Sequence, residues 1–283
     1  RRGRVVGYVF TSPLQYKALN WKGGTAMQLG GLTNFNQTFA NRVNILGRVA
    51  GVGYKMNSGG AITESHALKW TGGVMSDLGT LGGHHAAALA INDYDQIVGG
   101  STLAGDTVTR AFIFSNGVMT AISTLPGAVE SYAYDISNTG FVVGTAVTST
   151  PAKPFIWRAG ISAALPVPSG VRAGAANAVN DSGVAAGTYE INQYTGSFAA
   201  VIWINGQLVH LGNLGGGLAY SVAADINSTG QVVGTTNSPG GFTGFLWKSG
   251  VMYDLRTLIA PSFGSVLITS AGAINDNGQI AAV

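Results

Sequence analysis

The chain has no cysteine among its 283 residues. That excludes disulfide scaffolds, cysteine-bearing zinc sites and cysteine nucleophiles. Charge is scarce as well. Asp, Glu, Lys and Arg make up 10% of the sequence, against about 25% in an average globular domain. The formal net charge is +3, and no basic run extends beyond the opening RRGR. Nucleic-acid binding needs clustered Lys and Arg, so that class of partner is set aside. No stretch approaches 18 uninterrupted apolar residues, so no membrane span is expected. No signal peptide is visible; the abrupt start fits either its removal or a longer natural chain.

What is present is apolar and small. Hydrophobic residues reach 46%, and there are 43 glycines. The apolar share can bury a sizeable core, and it separates the chain from disordered sequences. Low charge with abundant Gly suits a sheet protein with many tight turns.

The arrangement repeats. Trp21, Trp70, Phe114, Trp157, Trp203 and Trp247 are spaced by 49, 44, 43, 46 and 44 residues, and every Trp of the chain falls on this position. Three residues after each stands Gly: Gly24, Gly73, Gly117, Gly160, Gly206 and Gly250. Eight after it stands Leu29, Leu78, Ile122, Leu165, Leu211 or Leu255. A later segment reads VNILG, INDYD, ISNTG, VNDSG, INSTG or INDNG, and Ala precedes its first residue by three in every copy.

Each copy reads as four short strands. An apolar residue two before the aromatic (Leu19, Leu68, Phe112, Phe155, Val201, Phe245) puts both side chains on one face of a strand. Gly closes a hairpin, and a second strand runs to a Gly/Pro-rich link. The third strand carries the Ala. Asn or Asp turns the chain and Gly takes the left-handed position, where Asp95 stands in for it once. The fourth strand is of the GQVVG type. No helical period competes.

Four antiparallel strands in about 45 residues is the blade of a β-propeller. The expected fold is all-β: one propeller domain over residues 1–283, with six blades, or seven if residues beyond this sequence complete the ring. The first four-strand unit is entered partway. Gly3–Gly7 reads like Gly278–Ala282, so six aromatic strands accompany seven strands of the GxVVG type.

The segment GGVMSDLGTLGGHHAAALAINDYDQIVGGS, Gly72 to Ser101, is similar to the HAF repeat, named for a His-Ala-Phe tripeptide. The tripeptide itself is echoed by His66-Ala67-Leu68 and Arg110-Ala111-Phe112, and NGQLVHLGNLGG and INSTGQVVGTT repeat the longer pattern. The resemblance covers nearly the whole chain. It departs at LPVPSG and LRTLIA, where LGTLGG is the pattern. It implies a bacterial protein, extracellular or on the cell surface, and carries no established activity.

Chemical motifs are sparse. His84 and His85 stand together in GGHHAAA, where neighbours on an extended chain point apart, and no HExxH spacing accompanies them. His66 and His210 border strand patterns, at edge or solvent-facing positions. The NDYD, NDSG and NDNG turns lack the downstream Glu of a calcium loop. The Gly runs precede neither Lys-Ser/Thr nor a helix, so they offer no phosphate site. No metal, cofactor or catalytic residue is assigned. The recurrent Trp positions suit core packing better than sugar stacking.

Binding is expected on variable segments, since loops carry function on a rigid scaffold. The longest lie at 53–65 and 187–197. Tyr189, Glu190, Asn192 and Tyr194 are the candidate ligand contacts. The function expected from the sequence is a non-enzymatic binding or assembly module, whose partner is an extracellular glycan, a protein or itself. The alternative is a propeller lyase or hydrolase acting in a central channel. It requires convergent His, Asp, Glu or Arg, whereas the equivalent repeat positions carry Ala, Gly and Val. Ionisable residues gathered at one face would favour it.

Overall fold

The computed structural model describes every residue except 1–2, 13–14, 33, 149–151, 172, 193–195, 218, 261 and 263–265. The structure is all-β. No described helix is long and apolar enough to cross a membrane. The chain divides into two compact units: Arg1–Thr124 with Ala128–Asn138, and Leu125–Gly127 with Thr139–Val283.

The first unit opens with a three-stranded antiparallel sheet: β1 (Arg4–Ser12), β2 (Gln15–Lys22) and β3 (Thr25–Gln28). Next come β4 (Gln37–Val43), β5 (Val49–Met56), β6 (Ile62–Thr71) and β7 (Val74–Asp77), paired in that order. The following set, β8 (Gly82–Ile91), β9 (Ile97–Leu103), β10 (Thr109–Ser115) and β11 (Val118–Ala121), repeats the pattern. A parallel bridge between Ser65 on β6 and His85 on β8 joins the two sets. The unit ends with β12 (Glu130–Ile136).

The second unit holds β13 (Val142–Val147), β14 (Ala152–Arg158) and β15 (Ile161–Ala164), paired in sequence. Two four-stranded sheets follow. One is β16 (Gly174–Val179), β17 (Ala185–Asn192), β18 (Ser197–Ile204) and β19 (Gln207–His210). The other is β20 (Ser221–Ile226), β21 (Val232–Ser238), β22 (Gly241–Lys248) and β23 (Val251–Asp254). After a short 3-10 turn at Leu255–Leu258 come β24 (Ala271–Ile274) and β25 (Ile280–Ala282). Serial four-stranded antiparallel sheets are the building plan of propeller blades.

The repeated residues explain these sheets. At the hairpin after each aromatic, two successive residues have positive φ, for example Asn116 (54°) with Gly117 (83°) and Asn205 (50°) with Gly206 (76°). That is the pattern of a type I′ turn, whose twist matches the flanking strands. The apolar residue two before the aromatic is the constant plug: Leu68, Phe112, Phe155, Val201 and Phe245 are fully buried. Burying each contributes about 2 kcal/mol. The aromatic position itself varies, for Trp70 and Trp203 are buried while Trp21, Phe114, Trp157 and Trp247 are half-buried. Each recurrent Ala is buried too, so a larger side chain finds no room on that strand.

The Asn of each INxxG segment does two jobs. Its Oδ1 accepts backbone N–H groups across its own turn, as in Asn92 from Tyr94 and Gln96, and Asn227 from Thr229 and Gln231. Its Nδ2 donates to the equivalent backbone carbonyl of the next repeat. In the first unit Asn44 reaches Asn92 O and Asn92 reaches Ser137 O. In the second Asn180 reaches Asn227 O and Asn227 reaches Asn275 O. Asp95 does adopt the left-handed conformation, at φ 68°, and its carboxylate receives Arg48 and Lys69.

Candidate functional site

The segments expected as the longest loops are mostly strand. β5 extends to Met56 and β6 begins at Ile62, with Asn57 Oδ1 accepting Gly59 N and Ala61 N in the short turn between. β17 likewise runs to Asn192, where Tyr189 pairs with Ala199 and Glu190 with Phe198. Tyr189 is 7% exposed, packed among Leu165, Val201 and Trp203 with its ring edge-on to His210. Glu190 is half-buried and its N–H bonds to Ala173 O. Asn192 is exposed at the strand end. Tyr194 lies outside the described residues.

The ionisable residues gather elsewhere, in the first unit, where the start of β6 meets the start of β8. Glu64, Ser65 and His66 follow one another on β6, and His84 and His85 on β8. The parallel bridge brings the two segments side by side. Ser65 Oγ lies 3.3 Å from His85 Nδ1. His84 points the other way, as adjacent strand residues must. Its Nδ1 pairs with Asp106 Oδ2, and its N–H donates to Asp106 Oδ1 at 2.6 Å. The Thr102 hydroxyl donates to the same Asp106 Oδ1 at 2.6 Å. Asp106 sits in the β9–β10 hairpin with φ 55°.

A second chain of charges runs alongside. His66 Nδ1 lies 2.8 Å from Asp77 Oδ2, its Nε2 lies 3.5 Å from Glu64 Oε2, and Lys55 pairs with that same Glu64 oxygen. The His66 ring also stands edge-on to Phe35. Of the two histidines read as edge positions, His210 is exposed, whereas the His66 side chain is only 18% exposed and tied to two carboxylates.

The electrostatics follow from these contacts. The bond to Asp106 holds the His84 imidazole above its ordinary pKa of 6.5. The Thr102 hydroxyl and His84 hold the Asp106 carboxyl well below the carboxylate range. Lys55 lowers Glu64. The His84 side chain is 66% exposed. A carboxylate on Nδ1 and an open Nε2 is the geometry of an acid–base imidazole. Among the described residues, no three His, Asp or Glu side chains converge as a metal-binding group.

His66 stands in the repeat's His-Ala-Leu echo and Asp77 in its VMSDL segment, whereas His84, His85 and Asp106 lie outside the recurring positions, where the repeat pattern gave no signal. The signal was present as ESH at the start of one aromatic strand and GGHH at the start of the next repeat's first strand.

No family model matches the chain, and no curated protein does. Solved structures do. TolB from Acinetobacter baumannii matches with a TM-score of 0.56 at 11% identity, over 88% of this chain and 61% of its own. An acylaminoacyl peptidase from Pyrococcus horikoshii matches with a TM-score of 0.56 at 12% identity, over 92% of this chain and 44% of its own. A puromycin-hydrolyzing peptidase from Mycobacterium tuberculosis reaches 0.48 at 11% identity, over 86% and 50%. This chain thus spans less than two thirds of each of these structures, and at such identities the likeness is one of fold. The expectation of a non-enzymatic binding or assembly module is corrected: of the neighbours at a TM-score of 0.56 one is a peptidase by name, which sides with the enzyme alternative. The sequence argument behind that expectation also fails, because an assembled His–carboxylate cluster stands where only scattered histidines were read.

Proposed function

We propose that the chain is a propeller-fold enzyme, a hydrolase of extracellular glycan or peptide, in which His84 is the catalytic acid–base and Asp106 its positioning residue. The observation that carries this reading is the Thr102–Asp106–His84 chain, which fixes Nδ1 and leaves the imidazole open to solvent. In the protonated form, Nε2 gives its proton to the leaving oxygen or nitrogen as the bond to carbon breaks. Water supplies the hydroxyl to that carbon, and its proton returns to Nε2. Asp106 stabilises the imidazolium throughout. The six-bladed ring and the HAF-repeat resemblance belong to the same proposal, and the resemblance supports an extracellular setting.

The test is a screen of the purified chain against polysaccharides and acylated peptides, comparing wild type with His84→Gln. General acid–base catalysis is worth about 10²–10⁴-fold, and a loss in that range is expected with the fold retained. Turnover unchanged in His84→Gln overturns the assignment. A product carrying a new double bond, with no water incorporated, makes the enzyme a lyase instead.

A further inference from the structure

An imidazolium that gives its proton to a departing atom cannot at that moment take one from the attacking water. A second group has to accept that proton, and the structure sets a carboxylate beside His84. Glu64 stands one residue before Ser65, and His84 one residue before His85, the two partners of the parallel bridge. Residues in register on neighbouring strands project to the same face. The Ser65 hydroxyl and the His85 ring meet on one face, so Glu64 and His84 share the other.

Glu64 is open on one oxygen. Its Oε2 takes Lys55 from β5 and lies 3.5 Å from His66 Nε2, while among the described residues Oε1 takes no hydrogen bond. The side chain is 34% exposed, so water reaches it. Asp77 of β7 joins the line through His66 Nδ1, at 2.8 Å. The surroundings also drive the two protonation states apart. Lys55, with His66 and His84, holds Glu64 below its ordinary 4.5, and Asp106, with Glu64, holds His84 above 6.5. Between those values one group is ready to accept a proton and the other to give one, and such a split pair marks base and acid.

The charges select the bond. Glu64, Asp77 and Asp106 line this cluster with three carboxylates, against the single lysine Lys55. When a glycosidic bond breaks, positive charge grows on the anomeric carbon, and carboxylates stabilise it. When an acyl group is attacked, negative charge grows on its oxygen, and carboxylates oppose it. Resting on the reading of His84 as the acid, we propose that Glu64 is the catalytic base and that the substrate is a glycan. As the water oxygen bonds to the anomeric carbon, Glu64 Oε1 takes its proton, His84 Nε2 protonates the departing oxygen, and the glycosidic bond breaks. Solvent then carries the proton from Glu64 back to His84.

The test uses the full chain with a panel of 4-nitrophenyl pyranosides and the matching methyl pyranosides. Nitrophenolate departs without a proton, whereas the methoxy oxygen needs one. Glu64→Gln is expected to lose about a hundredfold or more in kcat on both, with KM little changed. His84→Gln is expected to lose far more on the methyl glycosides than on the nitrophenyl ones. Lys55→Met should move the acid limb of the pH profile upward, because Glu64 must be ionised to act and loses the partner that lowers it. Azide attacks carbon without a base, so sodium azide should restore turnover to Glu64→Ala and yield a glycosyl azide, which also shows that variant to be folded. Wild-type turnover of the nitrophenyl glycosides by Glu64→Gln overturns the base and leaves the reading of His84 standing. Turnover of none of the glycosides overturns the substrate class. Full activity of His84→Gln on both sets removes the reading on which this proposal rests.

Discussion

The Nδ2 of Asn92 donates to the main-chain carbonyl of Ser137, 45 residues later, at 3.1 Å. The same amide's Oδ1 receives Tyr94 N and Gln96 N, so one buried side chain closes its own turn and fastens the next. Asn92→Ala removes both functions. It leaves buried amides and a carbonyl unpaired, at about 1–3 kcal/mol each. A loss of about 3 kcal/mol in urea unfolding is expected. Asn92→Asp keeps the acceptor and loses the donor, and should fall between wild type and Asn92→Ala.

Gly187 and Gly7 hold the same register, opposite Val201 and Leu19. The missing Cβ of Gly187 makes room for the carbonyl of Ala175, so Gly187→Ala must push two paired strands apart. Overpacking of a buried site costs about 1–3 kcal/mol or more. Gly7→Ala, whose added Cβ would meet only the Trp21 ring at 3.5 Å, is expected to change stability by less than about 0.5 kcal/mol. Equal losses for the two variants, read from thermal midpoints, would contradict the register equivalence of β1 and β17.

Arg42 Nη2 and Asp135 Oδ1 form a 3.2 Å ion pair between β4 and β12, with side chains 18% and 6% exposed. Breaking a buried pair by removing one partner costs about 3–5 kcal/mol. Arg42→Met alone should therefore destabilise strongly. The double variant Arg42→Met with Asp135→Leu should recover much of that loss. A double-mutant cycle in denaturant measures the coupling.

The His84–Asp106 pair sets a pH response of known sign. His84 is raised, so its contribution to stability is full below its unfolded pKa and is lost as pH rises through its folded value. Asp106 is lowered, so its contribution is present above its unfolded pKa and is lost as pH falls through its folded value, in strong acid. The pair is therefore held across the mildly acidic range. In Asp106→Asn the His84 titration, followed by its ring proton resonances, should move back down toward 6.5. A midpoint unmoved by that change would remove Asp106 as the cause.

The scaffold was legible because its signals recur and are local. Positive φ at the aromatic hairpins, the left-handed Asp95 and the buried Ala of each third strand are backbone and packing requirements that a sequence states in residue type. The aromatic position was less legible. Trp21 and Trp247 occupy it yet stay half-buried, because the residue two before is the one that fills the core. The His84–Asp106 part of the cluster was not legible by repeat logic. It depends on one parallel bridge, Ser65 with His85, and on a hairpin that returns Asp106 to His84 across 22 residues. Neither is periodic, and pairing of distant segments is not written in either one alone. Tyr189, a polar aromatic in a variable stretch, continues a buried strand, which the stretch's variability did not reveal.

The Asn ladder also bears on how such a chain can change in length. Within each unit the middle repeat of the three linked ones, that of Asn92 or Asn227, accepts one side-chain hydrogen bond from behind and gives one forward. A duplicated repeat would bring its own donor and its own acceptor, so copying a segment of about 45 residues leaves no orphaned polar group at the join. Gene duplication can then lengthen or shorten the array one whole repeat at a time, while a gain or loss of half a repeat is penalised at once.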